Sequence, residues 1–595
     1  MTTYVAPTRD MLFAMNELAG LAEIAALPGN EEVTTDVVEA ILDEAARFAT
    51  EVLAPINAQG DRQGCTCKNG HVTTADGFKA AYSKFVESGW NAMPGSPDFG
   101  GQGLPSLVST AVLEMWKASN MAFSLCQMLT LGAVAAIAHH GSERDKQRYL
   151  PKMVSGEWTG TMNLTESQAG SDLSAVRTKA APEGDHYRIS GTKIFITWGE
   201  HDMAENIIHM VLARLPDAPE GTKGISLFVV PKFLVNADGS LGERNDLICA
   251  SIEHKMGIHG SPTAVMAFGE NEGAIGYLVG EANRGLGCMF TMMNHARLNV
   301  GLEGVAISER AYQQALGYAR ERIQSRPIGA TSLDPVAIIQ HPDVRRMLMD
   351  MKARIEAMRA LAYFVAAQMD KAQSHPDAAE RQKCQAMTDL LTPVVKGWCT
   401  ENAVDITSAG IQVHGGVGFI EETGACQHMR DARITTIYEG TTGIQANDLI
   451  GRKVARDQGA AVKLLLGEMN RTLATLEAAG DRELRVIAGS LQGGTVALEN
   501  ATGWLLSTYD RDPASAAAGA VPYLKLLGTV TGGWLMARAA LVAAEKHAPP
   551  GSDFYRAKKV TARFYAEHVL PEVHAFRAAI VDGAGSVLAL DESLF

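Results

Sequence analysis

The run Asp431-Ala-Arg-Ile-Thr-Thr-Ile-Tyr-Glu-Gly-Thr-Thr-Gly-Ile-Gln445 sets one carboxylate, Glu439, between apolar Ile434, Ile437 and Tyr438 and a Gly-Thr-Thr-Gly turn. That turn opens a helix, because Ile444, Leu449, Ile450 and Val454 follow at roughly helical spacing. Apolar neighbours disfavour the charged form of a carboxylate, so the pKa of Glu439 is expected to rise toward neutrality. A base of that strength suits abstraction of a weakly acidic C–H proton. A Glu held at a helix start by the backbone dipole has the same local appearance, and the stretch alone leaves both readings open.

The chain of 595 residues is too long for a single core and should hold three or four domains. With 46% hydrophobic and 20% charged residues, its composition is that of an ordinary globular protein. A net charge of −14 supplies no whole-molecule field for nucleic acid or an anionic membrane, although a local basic groove could still take a polyanionic metabolite. The eight cysteines are scattered without CxxC or metal-ligand spacing, so no metal is expected, and Cys65 and Cys67 are expected as free thiols. Met1-Thr-Thr-Tyr-Val-Ala-Pro7 has no basic segment before an apolar core. The longest apolar stretch, near 516–544, is interrupted by Lys525 and Arg538 and falls short of the ~20 residues of a spanning helix on either side. A cytoplasmic protein with no integral membrane association and no nucleic-acid partner is the expectation.

Four divisions are expected along the chain. Residues 1–158 read as helical, with segments at 31–53, 106–128 and 129–140 around the loop Pro94-Gly-Ser-Pro-Asp-Phe-Gly-Gly-Gln-Gly-Leu-Pro105. Residues 159–284 hold short β-rich runs, beginning at 158–164 and continuing at 186–190, 193–197, 206–215, 224–231 and 263–268, without intervening helices, which predicts a small antiparallel sheet or barrel. Residues 285–455 return to long helices at 289–321, 344–371 and 380–410. Residues 456–595 form a further Ala- and Leu-rich module with helices predicted at 460–478, 482–510, 516–547 and 552–580. From Ala455 onward 14 Lys and Arg face 15 Asp and Glu, so this module is near neutral, and packing is its default role. The fold class is mainly α with a central antiparallel β domain and a C-terminal helical extension.

Three further stretches could carry chemistry. Met162-Asn-Leu-Thr-Glu-Ser-Gln-Ala-Gly-Ser-Asp172 joins a strand end to hydroxyls and small residues, a turn that exposes backbone N–H groups to a flat or anionic ligand. In Gly191-Thr-Lys-Ile-Phe-Ile-Thr-Trp-Gly199, Phe195 and Thr197 share a strand face that suits a planar heterocycle, though also a plain apolar core. Gln412-Val-His-Gly-Gly-Val-Gly-Phe419 places paired glycines between helices, where a ligand or another chain could approach. No strand is followed by GxGxxG, and no GxxxxGK[ST] occurs.

Each signal is weak alone, but their joint order resembles the acyl-CoA dehydrogenase family of flavoproteins. The resemblance lies in Leu164-Thr-Glu-Ser-Gln-Ala-Gly-Ser-Asp172, Ile194-Phe-Ile-Thr197, Asn294-His-Ala-Arg297, Arg320-Glu-Arg-Ile-Gln324, Gln412-Val-His-Gly-Gly416 and Ile437-Tyr-Glu-Gly-Thr-Thr442, and spans residues 35–453. Tyr4-Val-Ala-Pro7, the long 256–296 region and the extension are similar to the branch that includes bacterial 3-methylthiopropionyl-CoA dehydrogenase. The resemblance implies FAD as cofactor, an acyl-CoA thioester as substrate and an electron-transfer flavoprotein as electron acceptor. It implies Glu439 as the α-proton base, with its own backbone N–H holding the thioester oxygen. By the same resemblance, Leu164 and Thr165 would meet the flavin pyrimidine edge, Thr197 the N5 side, and Phe195 the ring. Ser171 would contact the flavin and would also lie along the acyl-CoA path with Asn294, Arg297 and Tyr438. Arg322, Gln324, Gln412, Gly415 and Gly416 would grip FAD across a subunit interface, and Thr441 and Gly443 its adenine-nucleotide end, which implies a homodimer. Four positions depart from the usual family residues: Ser167, Asn294, Ser325 and Gly443. An acyl-CoA oxidase using O₂, or a DNA-associated alkylation-response-type flavoprotein, would share much of this pattern. The latter would need a basic surface that the near-neutral extension does not offer.

Overall fold

The computed structural model describes residues 4–546 and 553–595. The predicted helix ends at 547 and 552 lie outside the described residues. The chain forms two compact units that alternate along the sequence. One comprises residues 1–46, 105–118 and 300–595, the other 47–104 and 119–299.

The second unit is built on a sheet whose strands run Leu247–Ile252, Thr263–Phe268, His186–Thr197, Ala274–Val279, Ile225–Pro231, Asn206–Arg214 and Trp158–Asn163 in spatial order. Lys179–Glu183 pairs alongside His186–Thr197. The runs expected at 186–190 and 193–197 are one strand, which passes through Gly191 at φ +155°, where a side chain would strike Thr178. Strands at 179–183, 247–252 and 274–279 were not among the expected runs. The sheet is antiparallel except that Trp158–Asn163 runs parallel to Asn206–Arg214 along one edge and Lys179 makes a single parallel pairing with Arg214. The intervening strands supply the long crossover that a parallel pair requires. Ile189, Ile196, Val211, Phe228, Val230, Met266 and Phe268 form its core.

Helix Met121–His140 packs on this sheet closely enough that a Cβ at Gly160 would lie 2.5 Å from the Ala133 methyl. The helical segment expected to divide at 128 divides at Asn120 instead. Asn120 leaves the helical region at φ −155°, and its side chain accepts from the Phe123 N–H at 3.1 Å, a capping bond that starts the next helix.

In the first unit, long helices Pro342–Ser374 and Ala378–His414 pack with Ala520–Glu545 of the extension. Gly528 permits this contact, since a Cβ there would lie 2.3 Å from Trp398 Cγ. The extension is therefore part of the same core as the helices before it. The helix predicted over 552–580 is broken near Pro571, which cannot continue the backbone ladder. Arg359 is buried between Glu114 and Glu309 at 2.7 and 2.8 Å, with the Tyr363 hydroxyl donating to Glu114 at 2.7 Å. Val5 exchanges backbone hydrogen bonds with the Gln313 side chain, which ties the N-terminal segment to this unit.

Two helices, Met121–His140 and Ala520–Glu545, are long and apolar enough to cross a membrane. This corrects the expectation that no apolar stretch reaches that length. Most of the apolar window of each is buried inside the protein, where it serves as core.

Candidate active site

Glu439 is half-buried and lies in the left-handed backbone region at φ +54°, followed by Gly440 at φ +90°. A non-glycine residue held there costs of order 1–3 kcal/mol, and such strain persists where surrounding contacts impose it. The side-chain amide of Gln445 donates to the Glu439 carbonyl at 3.0 Å. The ammonium of Lys396 donates to the Gly440 carbonyl at 2.6 Å. Both side chains come from fully buried residues. The Tyr438 hydroxyl donates to the carboxylate of Glu303, which in turn pairs with Lys117 at 3.4 Å. Burial raises the Tyr438 phenol well above its ordinary range, and the Glu303 charge adds to the effect. The Glu439 carboxylate acts on that phenol in the same direction. Burial likewise lowers the Lys117 ammonium, against the attraction of Glu303.

Just beyond, Thr441 caps helix Thr442–Asp448 by accepting from the Ile444 N–H at 3.3 Å, and the Thr442 hydroxyl donates to Glu401 at 2.7 Å. A Cβ at Gly443 would meet only the Thr441 hydroxyl, at 3.8 Å. The turn thus gathers Tyr438, Glu439, Thr441 and Gly443.

Elsewhere in this unit the Arg322 guanidinium donates to the Gln324 side chain at 3.1 Å, and both residues are exposed. Ser325 follows at φ +57°. Gln412, Gly415 and Gly416 are exposed at the end of helix Ala378–His414, and a Cβ on either glycine would meet nothing within 4 Å. These polar, open positions fit an anionic nucleotide.

In the other unit, Leu164 and Thr165 extend strand Trp158–Asn163. Thr165 accepts from the Ile194 N–H at 2.9 Å, which sets it beside the strand that bears Phe195 and Thr197. Lys193 pairs with Met266 and Ile196 with Ala264, so Ile194 and Phe195 stand opposite the single residue Val265. This β-bulge re-aims the strand, as bulges beside active sites do. Phe195 takes φ +59° and is 59% exposed, between buried Lys193 and Ile196. An exposed ring held in a costly backbone conformation is a fitting surface for a flat heterocycle.

Lys193 was not among the expected site residues. Its ammonium donates to the Leu164 carbonyl at 3.0 Å and to Glu166 at 2.8 Å. Glu166 also accepts from the N–H groups of Arg177 and Thr178 at 2.8 and 3.0 Å and from the Thr178 hydroxyl at 2.6 Å. Burial works to raise this carboxyl, but Lys193 and these donors hold it at about 2. Burial brings Lys193 down only to about 8, so the pair is ionised at neutral pH. A lysine directly before the apolar run Ile194-Phe195-Ile196 is the signal for it in the sequence. Ser171 lies exposed farther along the same loop. Asn294 and Arg297 share one helix turn, with the Arg297 guanidinium donating to Asn294 at 3.4 Å.

The chain matches the acyl-CoA dehydrogenase N-terminal domain over residues 35–157, the middle domain over 161–270 and the C-terminal domain over 283–455. Residues 465–591 match an acetyl-CoA dehydrogenase C-terminal-like domain. It is 49% identical to 3-methylmercaptopropionyl-CoA dehydrogenase of Ruegeria pomeroyi over 98% of this chain and 99% of that one. It is 37% identical to a butyryl-CoA dehydrogenase of Syntrophomonas wolfei over 100% of this chain and 99% of the relative. An acyl-CoA dehydrogenase structure with FAD from Bacillus anthracis shares the fold, with TM-score 0.74 and 20% identity over 96% of this chain and 91% of that one.

Proposed function

The chain belongs to the acyl-CoA dehydrogenase family, whose members are FAD-dependent oxidoreductases, and from that premise we propose that Glu439 is the base acting on the thioester α-carbon. The Glu439 carboxylate takes the α-proton, the β-hydrogen departs as hydride, and a trans-2-enoyl thioester remains. Bound FAD supplies the hydride acceptor. The Glu439 N–H faces the negative charge that develops on the thioester oxygen and stabilises it as an oxyanion donor does. The observation that carries this reading is Glu439 itself, a half-buried carboxylate on a left-handed turn tied down by buried side chains.

Leu164, Thr165, Phe195 and Thr197 would hold the flavin, which when bound accepts the hydride. Ser171, Asn294, Arg297 and Tyr438 line the acyl-CoA path. Arg322, Gln324, Gln412, Gly415 and Gly416 would hold the FAD of a second copy of the chain, and Thr441 and Gly443 would hold its nucleotide end. The protein is on this reading a homodimer. Support comes from apolar residues left exposed near those glycines, with Val417 at 43% and Phe419 at 83%. Electrons leave to an electron-transfer flavoprotein in the cytoplasm.

The substrate we propose is a short acyl-CoA, 3-methylmercaptopropionyl-CoA first, on the strength of the Ruegeria relative. Anaerobic titration of the yellow protein with butanoyl, 3-methylmercaptopropionyl, octanoyl and hexadecanoyl thioesters tests this. Bleaching of the oxidised flavin by the short members is expected, and bleaching by hexadecanoyl-CoA alone would overturn the substrate assignment.

A further inference from the structure

Residues 438, 439 and 440 are each gripped by a polar side chain from a buried residue on a different helix. Glu303 of helix Gly285–Glu321 accepts from the Tyr438 hydroxyl, Gln445 of helix Thr442–Asp448 donates to the Glu439 carbonyl, and Lys396 of helix Ala378–His414 donates to the Gly440 carbonyl. Glu303, Gln445 and Lys396 are all 0% exposed. Burying such groups is costly unless they are hydrogen-bonded or paired, and here they converge on three consecutive residues. Gly440 belongs to the same arrangement, because a Cβ there would lie 2.5 Å from the Gln445 amide nitrogen. Tying Tyr438 on one side and two successive carbonyls on the other fixes the direction of the Glu439 Cα–Cβ bond, and with it the arc through which the carboxylate swings.

We infer that Lys396, Gln445 and the Lys117–Glu303 pair are positioning residues for the base, holding the Glu439 turn in its left-handed conformation. The inference rests on Glu439 being the base. Their bonds act on the backbone of 439 and 440 and on Tyr438, and through these on the direction of the base.

The test is anaerobic stopped-flow reduction of the full-length FAD-loaded enzyme by 3-methylmercaptopropionyl-CoA, with rates counted per bound flavin. Lys396→Met, Gln445→Met and Tyr438→Phe are each expected to slow flavin reduction roughly 10- to 100-fold, the scale at which misplacing a reacting group is felt. For Lys396→Met and Gln445→Met, half-saturating substrate concentration and FAD content should change little. Lys396→Arg, which keeps a donor for the Gly440 carbonyl, should recover part of the rate. A purely structural role would lower melting temperature and FAD content while leaving the rate per flavin near wild type, and that result in both Gln445→Met and Tyr438→Phe would overturn the inference. Glu439→Gln run beside them separates the two ideas. If it is inactive while the clamp variants run at full rate, the clamp fails and the base stands. If it turns over normally, the base assignment itself fails.

Discussion

The ammonium of Lys193 lies 3.0 Å from the carbonyl oxygen of Leu164, 29 residues earlier in the chain, and 2.8 Å from Glu166. One buried side chain thus joins the bulged strand carrying Phe195 and Thr197 to the loop carrying Leu164 and Thr165. Lys193→Met leaves Glu166 buried without its counter-charge, which costs about 3–5 kcal/mol. Urea unfolding should show this loss. The double variant Lys193→Met/Glu166→Gln should regain part of it, because no unpaired charge then remains.

The same pair sets an acid limit. Glu166 is held at about 2 in the folded protein against an ordinary value near 4.5, so its contribution to stability is complete above 4.5 and is lost as pH falls toward 2. The wild-type protein should lose stability across that window, by up to ~3 kcal/mol from this group. Melting temperatures of wild type and Glu166→Gln measured from pH 5 to pH 2.5 should therefore converge as the pH is lowered.

Phe195 contributes little to the core, since more than half of its surface is exposed. Phe195→Ala is expected to leave the melting temperature of the flavin-free protein nearly unchanged while weakening FAD binding about tenfold or more, the loss of an aromatic contact with a ring. Flavin retained through gel filtration, with calorimetry on the flavin-free form, checks both halves.

The order of helices, strands and helices is legible because hydrophobic period changes near Trp158 and again near Gly285. Strands such as Asn206–Arg214 and Ile225–Pro231 announce themselves as apolar β-branched runs. Leu247–Ile252 alternates buried and exposed residues beneath a mixed composition, and Lys179–Glu183 ends in Pro-Glu, so neither carries that signal. The motif residues around Glu439 lie close together in the chain and can be read as one turn. What holds the turn cannot: Lys396 is 44 residues from Gly440, and Glu303 is 135 from Tyr438. A lone Lys or Glu inside a long apolar helix looks like a solvated face until packing shows it buried.

Gly528 gives a direct test of how firmly the extension is joined to the helices that precede it. Gly528→Ala drives a methyl group toward Trp398, and overpacking of this kind costs about 1–3 kcal/mol. A single cooperative unfolding transition moved to lower denaturant is expected. Two separate transitions, with only the later helices destabilised, would show that the extension folds as an independent module.

Anaerobic single-turnover mixing of Glu439→Gln with 3-methylmercaptopropionyl-CoA shows whether Glu439 removes the α-proton. The substitution keeps the shape of the side chain and removes its basicity, so the variant should bind FAD and thioester normally. Its flavin should stay oxidised on the timescale in which wild type bleaches, a rate lower by at least about 10²-fold for loss of a general base. Bleaching at a rate near that of wild type would place the base on another residue.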